Sequence, residues 1–200
     1  MWKLAGIFLL FFPVFAQAGA QKMEGAVCNS ASAGLFVADV PDKPVTLQQF
    51  VSVFASEKKA MAWLAAMSKR LEKRIPDSKT RNDFLITVCY EALRLALDPQ
   101  LILGIIQVES DFKKYAVSTA GARGYMQVMP FWTKLCGYPD HNLFHLRRNL
   151  RYGCSILLGY LKMEKGNYFR ALGRYNGSLG QATYPNLVLR AWRGPWTYSS

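Results

Sequence analysis

Acids and histidines are scarce in this 200-residue chain. It has 13 Asp and Glu against 25 Lys and Arg, two His, and a net charge of +12. There is little alternating polar–apolar pattern, so a large β-sheet is excluded and helix dominates. No stretch is long and low in complexity, and half the residues are apolar or aromatic, which excludes a disordered chain and allows one packed domain with a small appendage. The longest apolar run, Leu4 to Phe15, is short of the roughly 20 residues that span a bilayer. The positive charge is scattered, apart from Arg147, Arg148 and Arg151. There is no polybasic arm and no nucleic-acid motif, so nucleic acid is not an expected partner. No cofactor motif occurs, and none is expected.

The N-terminus reads as an export signal. Lys3 gives a positive start, Leu4 to Phe15 an apolar centre, and Ala16-Gln17-Ala18 a small-x-small cleavage pattern. Residues 1–18 are taken as a signal peptide, leaving a mature chain of charge about +11. A basic exported protein suits an anionic envelope polymer, in the periplasm or cell envelope. Cys28, Cys89, Cys136 and Cys154 remain after cleavage. An even count in an oxidising compartment predicts disulfides. Cys136 with Cys154 is the preferred pair, and Cys28 with Cys89 follows by elimination. Cys136, His141, His145 and Cys154 also have zinc-ligand types, but their spacing is unusual and export favours the disulfide, so no metal is expected.

Residues 19–77 read as a loop-rich leader followed by accessory helices. Thr46 and Gln49 form a capping-box pair, apolar residues from Phe50 to Leu71 recur at helical spacing, and Pro76 stops the run. Residues 78–200 form the main domain. Helices are expected over Ser78 to Leu97, from Asp98-Pro99 to Glu109, over Met126–Met129, Pro130–Leu135, Asn142 to Lys165, Tyr168 to Tyr175, and Tyr184 to Trp192. Residues 113–124, with Gly121 and Gly124, read as a loop.

Glu109 carries the functional argument. It ends the run Leu101-Ile102-Leu103-Gly104-Ile105-Ile106-Gln107-Val108, and it shares a helical face with Ile102, Ile105 and Ile106. Burial there favours the neutral carboxyl and raises its pKa. A carboxylic acid still protonated near pH 7 can donate a proton to a leaving oxygen, as glycoside cleavage requires. Most such enzymes use a second carboxylate. Beyond Glu109 the acids are Asp111, Asp140 and Glu164. Asp111 lies roughly 200° round a continuing helix, Asp140 is in a turn, and Glu164 is at the polar end of a long helix. None is an obvious partner, which permits a one-carboxylate, substrate-assisted route.

Three segments carry a resemblance. They are Glu109-Ser110-Asp111-Phe112, the stretch from Ala116 through Ser118-Thr119-Ala120-Gly121-Ala122-Arg123-Gly124-Tyr125-Met126-Gln127-Val128-Met129 to Pro130, and Tyr175-Asn176-Gly177. In that order the chain, over about residues 83–190, resembles lytic transglycosylases of the soluble-lytic-transglycosylase (SLT) type, relatives of goose-type lysozyme. The resemblance implies a mainly α, lysozyme-like domain with little or no sheet. It implies a peptidoglycan cleft with Glu109 as catalytic acid and Ser118, Met126, Gln127, Tyr175 and Asn176 in substrate-binding or supporting places. It also implies cleavage of the β-1,4 bond between N-acetylmuramic acid and N-acetylglucosamine, giving 1,6-anhydro ends. Tyr125 and Arg174 stand where the family usually has Leu and Ala, and Tyr125 is expected to add a hydroxyl at the cleft wall. The residues alone leave alternatives open. Met126 suits a core, Gln127 can cap backbone, and Tyr175-Asn176 can close a helix. A muramidase on the same fold, or a non-catalytic wall-binding or secretion-apparatus component, fits the same motifs. Glycan strands are the expected partner, with secretion or envelope machinery as a recruiter, and a monomer is expected.

Overall fold

A computed structural model describes residues 24, 25, 27, 28 and 43–199. The signal sequence expected at residues 1–18 lies outside them. The helices are α1 (Leu47–Val51), α2 (Glu57–Leu71), α3 (Ser78–Leu93), α4 (Pro99–Ser110), α5 (Phe131–Cys136), α6 (Leu146–Met163), α7 (Tyr168–Tyr175) and α8 (Thr183–Arg193). Among the described residues the only β-pairing is two isolated bridges, Val117 with Arg123 and Arg123 with Val128. The expected helical fold without a sheet is therefore the one observed.

Local chemistry sets the helix starts. Thr46 and Gln49 form the capping box of α1. Ser56, Asp77 and Asn167 accept backbone N–H bonds at the starts of α2, α3 and α7. Asp98 Oδ1 accepts from Gln100 N at 2.7 Å, and Pro99 supplies the first turn of α4. Leu101, Ile102, Leu103, Ile105 and Ile106 are then fully buried, so α4 runs through the core. The close neighbour is α8. A Cβ on Gly104 would meet Trp192 N at 3.2 Å and Val188 O at 3.3 Å, so the missing side chain lets the two backbones approach. Helices α3, α6 and α7 complete the surround, with α3 against α4 and α6 and α7 between α6 and α8.

The accessory helices share this core. Phe50, Phe54 and Trp63 cluster, and Trp63 Nε1 donates to Gln100 Oε1 of α4 at 3.3 Å. Arg81, buried on α3, donates to the carbonyls of Ile75 and Pro76 and to Ser68, fixing the turn between α2 and α3. No helix of the described residues is long and apolar enough to cross a membrane.

Several expectations are overturned. Met126–Met129 is not a helix. Arg123 and Val128 exchange backbone bonds at 3.0 Å, Asn149 Oδ1 takes the Met126 N–H at 2.8 Å, and Gln127 holds φ 48°. These bonds replace an i→i−4 ladder. The long helix begins at Leu146 rather than Asn142, because Asn142 Oδ1 accepts from Phe144 N and forms a turn there. Two of the clustered arginines, Arg147 and Arg151, are buried. The two residues are 5% and 6% exposed, and both donate to the fully buried Glu91, at 3.1 Å from Arg147 Nε and 2.9 Å from Arg151 Nη2. Burial without such partners would be prohibitive for these charges.

The cysteine pairing is also corrected. Cys28 is joined to Cys136, with Cα atoms 5.6 Å apart, and Cys89 and Cys154 are free and buried. Cys154 faces inward from α6 and Cys89 inward from α3, so neither reaches the end of α5. Burial pushes both thiols above their ordinary pKa, as expected of inert core residues. Mapping of unreduced peptides should therefore recover a Cys28–Cys136 link, with Cys89 and Cys154 alkylated only after unfolding. Cys28→Ser should lower unfolding stability by about 2–4 kcal/mol; a Cys136–Cys154 peptide would contradict the pairing.

Candidate active site

Helix α4 ends at Ser110, where Asp111 takes left-handed backbone at φ 45°. Glu109 is thus on the last turn, partly buried, at the edge of the core. Its partner is Tyr184, in the first turn of α8, whose hydroxyl donates to Glu109 Oε1 at 2.6 Å. Burial raises the Glu109 pKa to about 7, and the Tyr184 hydrogen bond opposes part of that rise. Among the described residues, burial and this hydrogen bond are the causes of the shift. Burial raises Tyr184 and Tyr175 well above the usual tyrosine value, and the nearby Glu109 charge adds to both shifts. Both therefore stay as O–H donors at neutral pH.

The loop after α4 is latched beside this acid by three side chains, those of Ser110, Tyr175 and Asn149. Ser110 Oγ donates to Tyr125 O at 2.8 Å, and Tyr175 Oη to Met126 O at 2.8 Å. Asn149 Nδ2 donates to Arg123 O at 2.8 Å, while its Oδ1 receives the Met126 N–H. The structure thus brings together Glu109, Tyr175 and the backbone at Met126. The Met126 side chain is fully buried, and a Cβ on Gly153 would sit 2.4 Å from its sulfur. Met126 therefore enters the site through its carbonyl. Gln127 Nε2 donates to Ala116 O and Gly124 O, so it braces the loop. Ser118 Oγ accepts from Ala122 N at 3.0 Å and shapes the turn before Arg123. Asn176 follows the last turn of α7 as its cap. Neither Ser118 nor Asn176 is hydrogen-bonded to Glu109.

The two family departures are both accounted for. Tyr125 is 5% exposed, its ring 4.8 Å from that of Phe84, so it fills core rather than presenting a surface at the cleft wall. Arg174 pairs with Glu164, as does Arg170, and does not point freely to solvent. Tyr184 is the functional residue that motif reading passed over. Its visible signal was a place on the inward stripe of α8 with Val188 and Ala191, where a hydroxyl needs a partner.

The other acids are spent elsewhere. The Asp111 side chain is 57% exposed and accepts from Arg74 Nε at 2.8 Å. Glu164 serves its two arginines, and Asp140 is exposed in a turn. A cavity of about 370 Å³ opens at the opposite end of α4, lined by Phe54, Trp63, Asp98 and Tyr198 among others. Its acid, Asp98, is occupied in capping α4 and in accepting from Trp192 Nε1 at 2.8 Å. Asp98 is thus committed to the start of α4 and to Trp192. Cys136, held in a disulfide, and Cys154, facing the core, do not form a ligand set with His141 and His145. Among the described residues no His, Cys, Asp and Glu cluster could hold a metal.

Comparison with known proteins identifies the domain that holds these residues. Residues 87–185 match the family model described as the transglycosylase SLT domain. The chain is 34% identical over 101 residues to a transglycosylase of Enterobacteria phage PRD1, covering 47% of this chain and 37% of the phage protein. It is similar to the membrane-bound lytic murein transglycosylase C of Actinobacillus pleuropneumoniae, 59% identical over 39 residues, and of Haemophilus influenzae, 56% over 39 residues. Each of these matches covers 20% of this chain and 11% of the relative. The chain thus spans little more than a third of the phage relative and about a tenth of the other two. No solved structure matches significantly. The segment that holds Glu109, the latched loop, Tyr175 and Tyr184 is the matched one, and through it the chain belongs to the transglycosylase SLT family.

Proposed function

We propose that the protein is a peptidoglycan lytic transglycosylase of the cell envelope, with Glu109 acting first as general acid and then as general base. The observation that carries this reading is the Glu109 carboxyl, held neutral to about pH 7 by burial and contacted by the Tyr184 hydroxyl. As the acid it protonates the oxygen of the β-1,4 bond leaving N-acetylmuramic acid. The oxocarbenium-like centre is stabilised by the substrate's own N-acetyl group, since Asp111 and Glu164 are paired with arginines and Asp140 is exposed in a turn. The ionised Glu109 then takes the proton of the C6 hydroxyl. That oxygen closes on the anomeric carbon, leaving a 1,6-anhydro end and consuming no water.

Tyr184 supports the second half of the cycle. Its hydrogen bond strengthens as Glu109 ionises, because an O–H bond to a carboxylate is stronger than one to a neutral acid. Tyr175 holds the Met126 carbonyl, and Gln127 and Ser118 shape the loop that forms one wall of the glycan groove. Asn176 sits beside that wall at the end of α7. The Cys28–Cys136 bridge and the membrane-bound character named for two relatives support an oxidising envelope location.

Glu109→Gln should abolish lysis of purified wall while leaving the circular dichroism spectrum intact; lysis near wild type would refute the assignment. Digests by the wild type should carry ends lighter by the mass of one water than a hydrolase leaves, and reducing ends would instead identify a muramidase. The pH dependence follows from the raised pKa. kcat/KM should fall above about pH 7 as Glu109 ionises in the free enzyme. Tyr184→Phe removes the bond that favours the ionised form, so it should move that limb to higher pH and lower kcat about tenfold.

Stability should carry the same signature. The folded protein holds the Glu109 proton between the ordinary carboxyl pKa and about 7, so wild-type stability declines as pH rises through that window. Glu109→Gln should lack this decline and gain up to about 3 kcal/mol over wild type above pH 7, read from denaturant midpoints at pH 4.5 and 8.

A further inference from the structure

The last turn of α4 is gripped by residues that lie outside the matched segment 87–185. Asp111 and Phe112 follow Glu109 and Ser110, and both hold left-handed backbone, at φ 45° and 63°. Asp tolerates that region; a bulky aromatic seldom adopts it. Two such residues in succession persist when their surroundings over-determine them. Here Arg74, in the turn after α2, donates from Nε to Asp111 Oδ1 at 2.8 Å. Its guanidinium also lies 5.5 Å from the centroid of the Phe112 ring. That ring packs on Phe84 at 5.9 Å and on Trp196 at 5.4 Å. Trp196 Nε1 in turn donates to Gln107 Oε1 at 2.8 Å. Arg70, one turn before Arg74, donates to the carbonyls of Pro195 and Thr197, on either side of Trp196. The accessory helix and the C-terminal tail thus close around the helix end that presents Glu109.

We propose that Arg74 is a positioning residue for the Glu109 carboxyl, its guanidinium locking the left-handed Asp111–Phe112 turn and so setting where the last turn of α4 delivers the acid. The proposal rests on Glu109 being the acid. The link is geometric. The Glu109–Tyr184 bond spans α4 to α8, and a small shift or rotation of the end of α4 carries the carboxyl out of hydrogen-bond range. A half-exposed ion pair adds little to global stability, whereas misplacing a catalytic group by about 1 Å can cost on the order of 100-fold in rate. The contribution of Arg74 is therefore read in turnover and not in melting.

The test uses the purified full chain and soluble, uncrosslinked glycan strands. Arg74→Met keeps the aliphatic stem and removes the charge and the fork of donors. It should lower kcat about tenfold with KM and melting temperature nearly unchanged. Hydrogen exchange should accelerate at the amides of Asp111 and Lys113, which bond to Gln107 O and Ser110 O. Arg74→Lys should recover most of the lost turnover. Asp111→Asn, which still suits left-handed backbone, should repeat the loss. Wild-type turnover and exchange in Arg74→Met would overturn the proposal. So would a large fall in melting temperature that accounts for the lost activity and that Arg74→Lys does not reverse. Retained lysis by Glu109→Gln would instead overturn the assignment of the acid, while the exchange rates would still decide whether Arg74 locks the turn.

Discussion

A helix with apolar side chains on every side has no face to give to water, and α4 is such a helix. From Leu101 to Ile106 its side chains are buried, so the chain must supply a neighbour in every direction. Helix α8 comes close across Gly104, and α3 closes another side. The site follows from that enclosure. Where α4 runs out of apolar residues, at Gln107-Val108-Glu109, it also runs out of cover. The acid is therefore left at the boundary between core and solvent. Deeper burial would have held the carboxyl neutral through the whole working range, and full hydration would have returned it to an ordinary carboxylate. The boundary gives a group that changes state near neutrality.

Around that acid the polypeptide uses backbone carbonyls as anchor points. Ser110, Tyr175 and Asn149 grip the oxygens of Tyr125, Met126 and Arg123, and Gln127 grips two more. Side chains from α4, α6 and α7 hold a loop that has almost no regular structure of its own. A loop fixed at that many points loses little further freedom when a polymer lies against it, which favours binding. Much of the long motif around residues 116–130 is thus structural, and the proposed chemistry is concentrated at Glu109 and the two tyrosines.

How much of this was legible in the sequence depends on the range of each interaction. The start of α4 was readable because Asp98-Pro99 acts within one turn, and the raised Glu109 pKa because the apolar run adjoins it. The capping box at Thr46 and the extent of α7 were readable for the same reason. Tyr184 was not, since its partner lies 75 positions away and nothing nearby marks the hydroxyl. The burial of Arg147 and Arg151 was not legible either, because Glu91, which neutralises them, sits 56 and 60 residues earlier. The turn at 126–129 failed as a helix for a related reason: its N–H group is taken by Asn149, a residue no local pattern connects to it.

The bridge between Cys28 and Cys136 spans 108 residues, and the order of synthesis gives that separation a meaning. Cys28 is made first and Cys89 next, so oxidation in order of synthesis would trap the wrong pair. The native link becomes favoured once α3 and α6 have drawn the Cys89 and Cys154 sulfurs into the interior, beyond the reach of oxidants. Burial of Cys89 and Cys154 in the packed helices leaves Cys28 and Cys136 as the thiols able to join, and their bond ties the N-terminal segment to the end of α5.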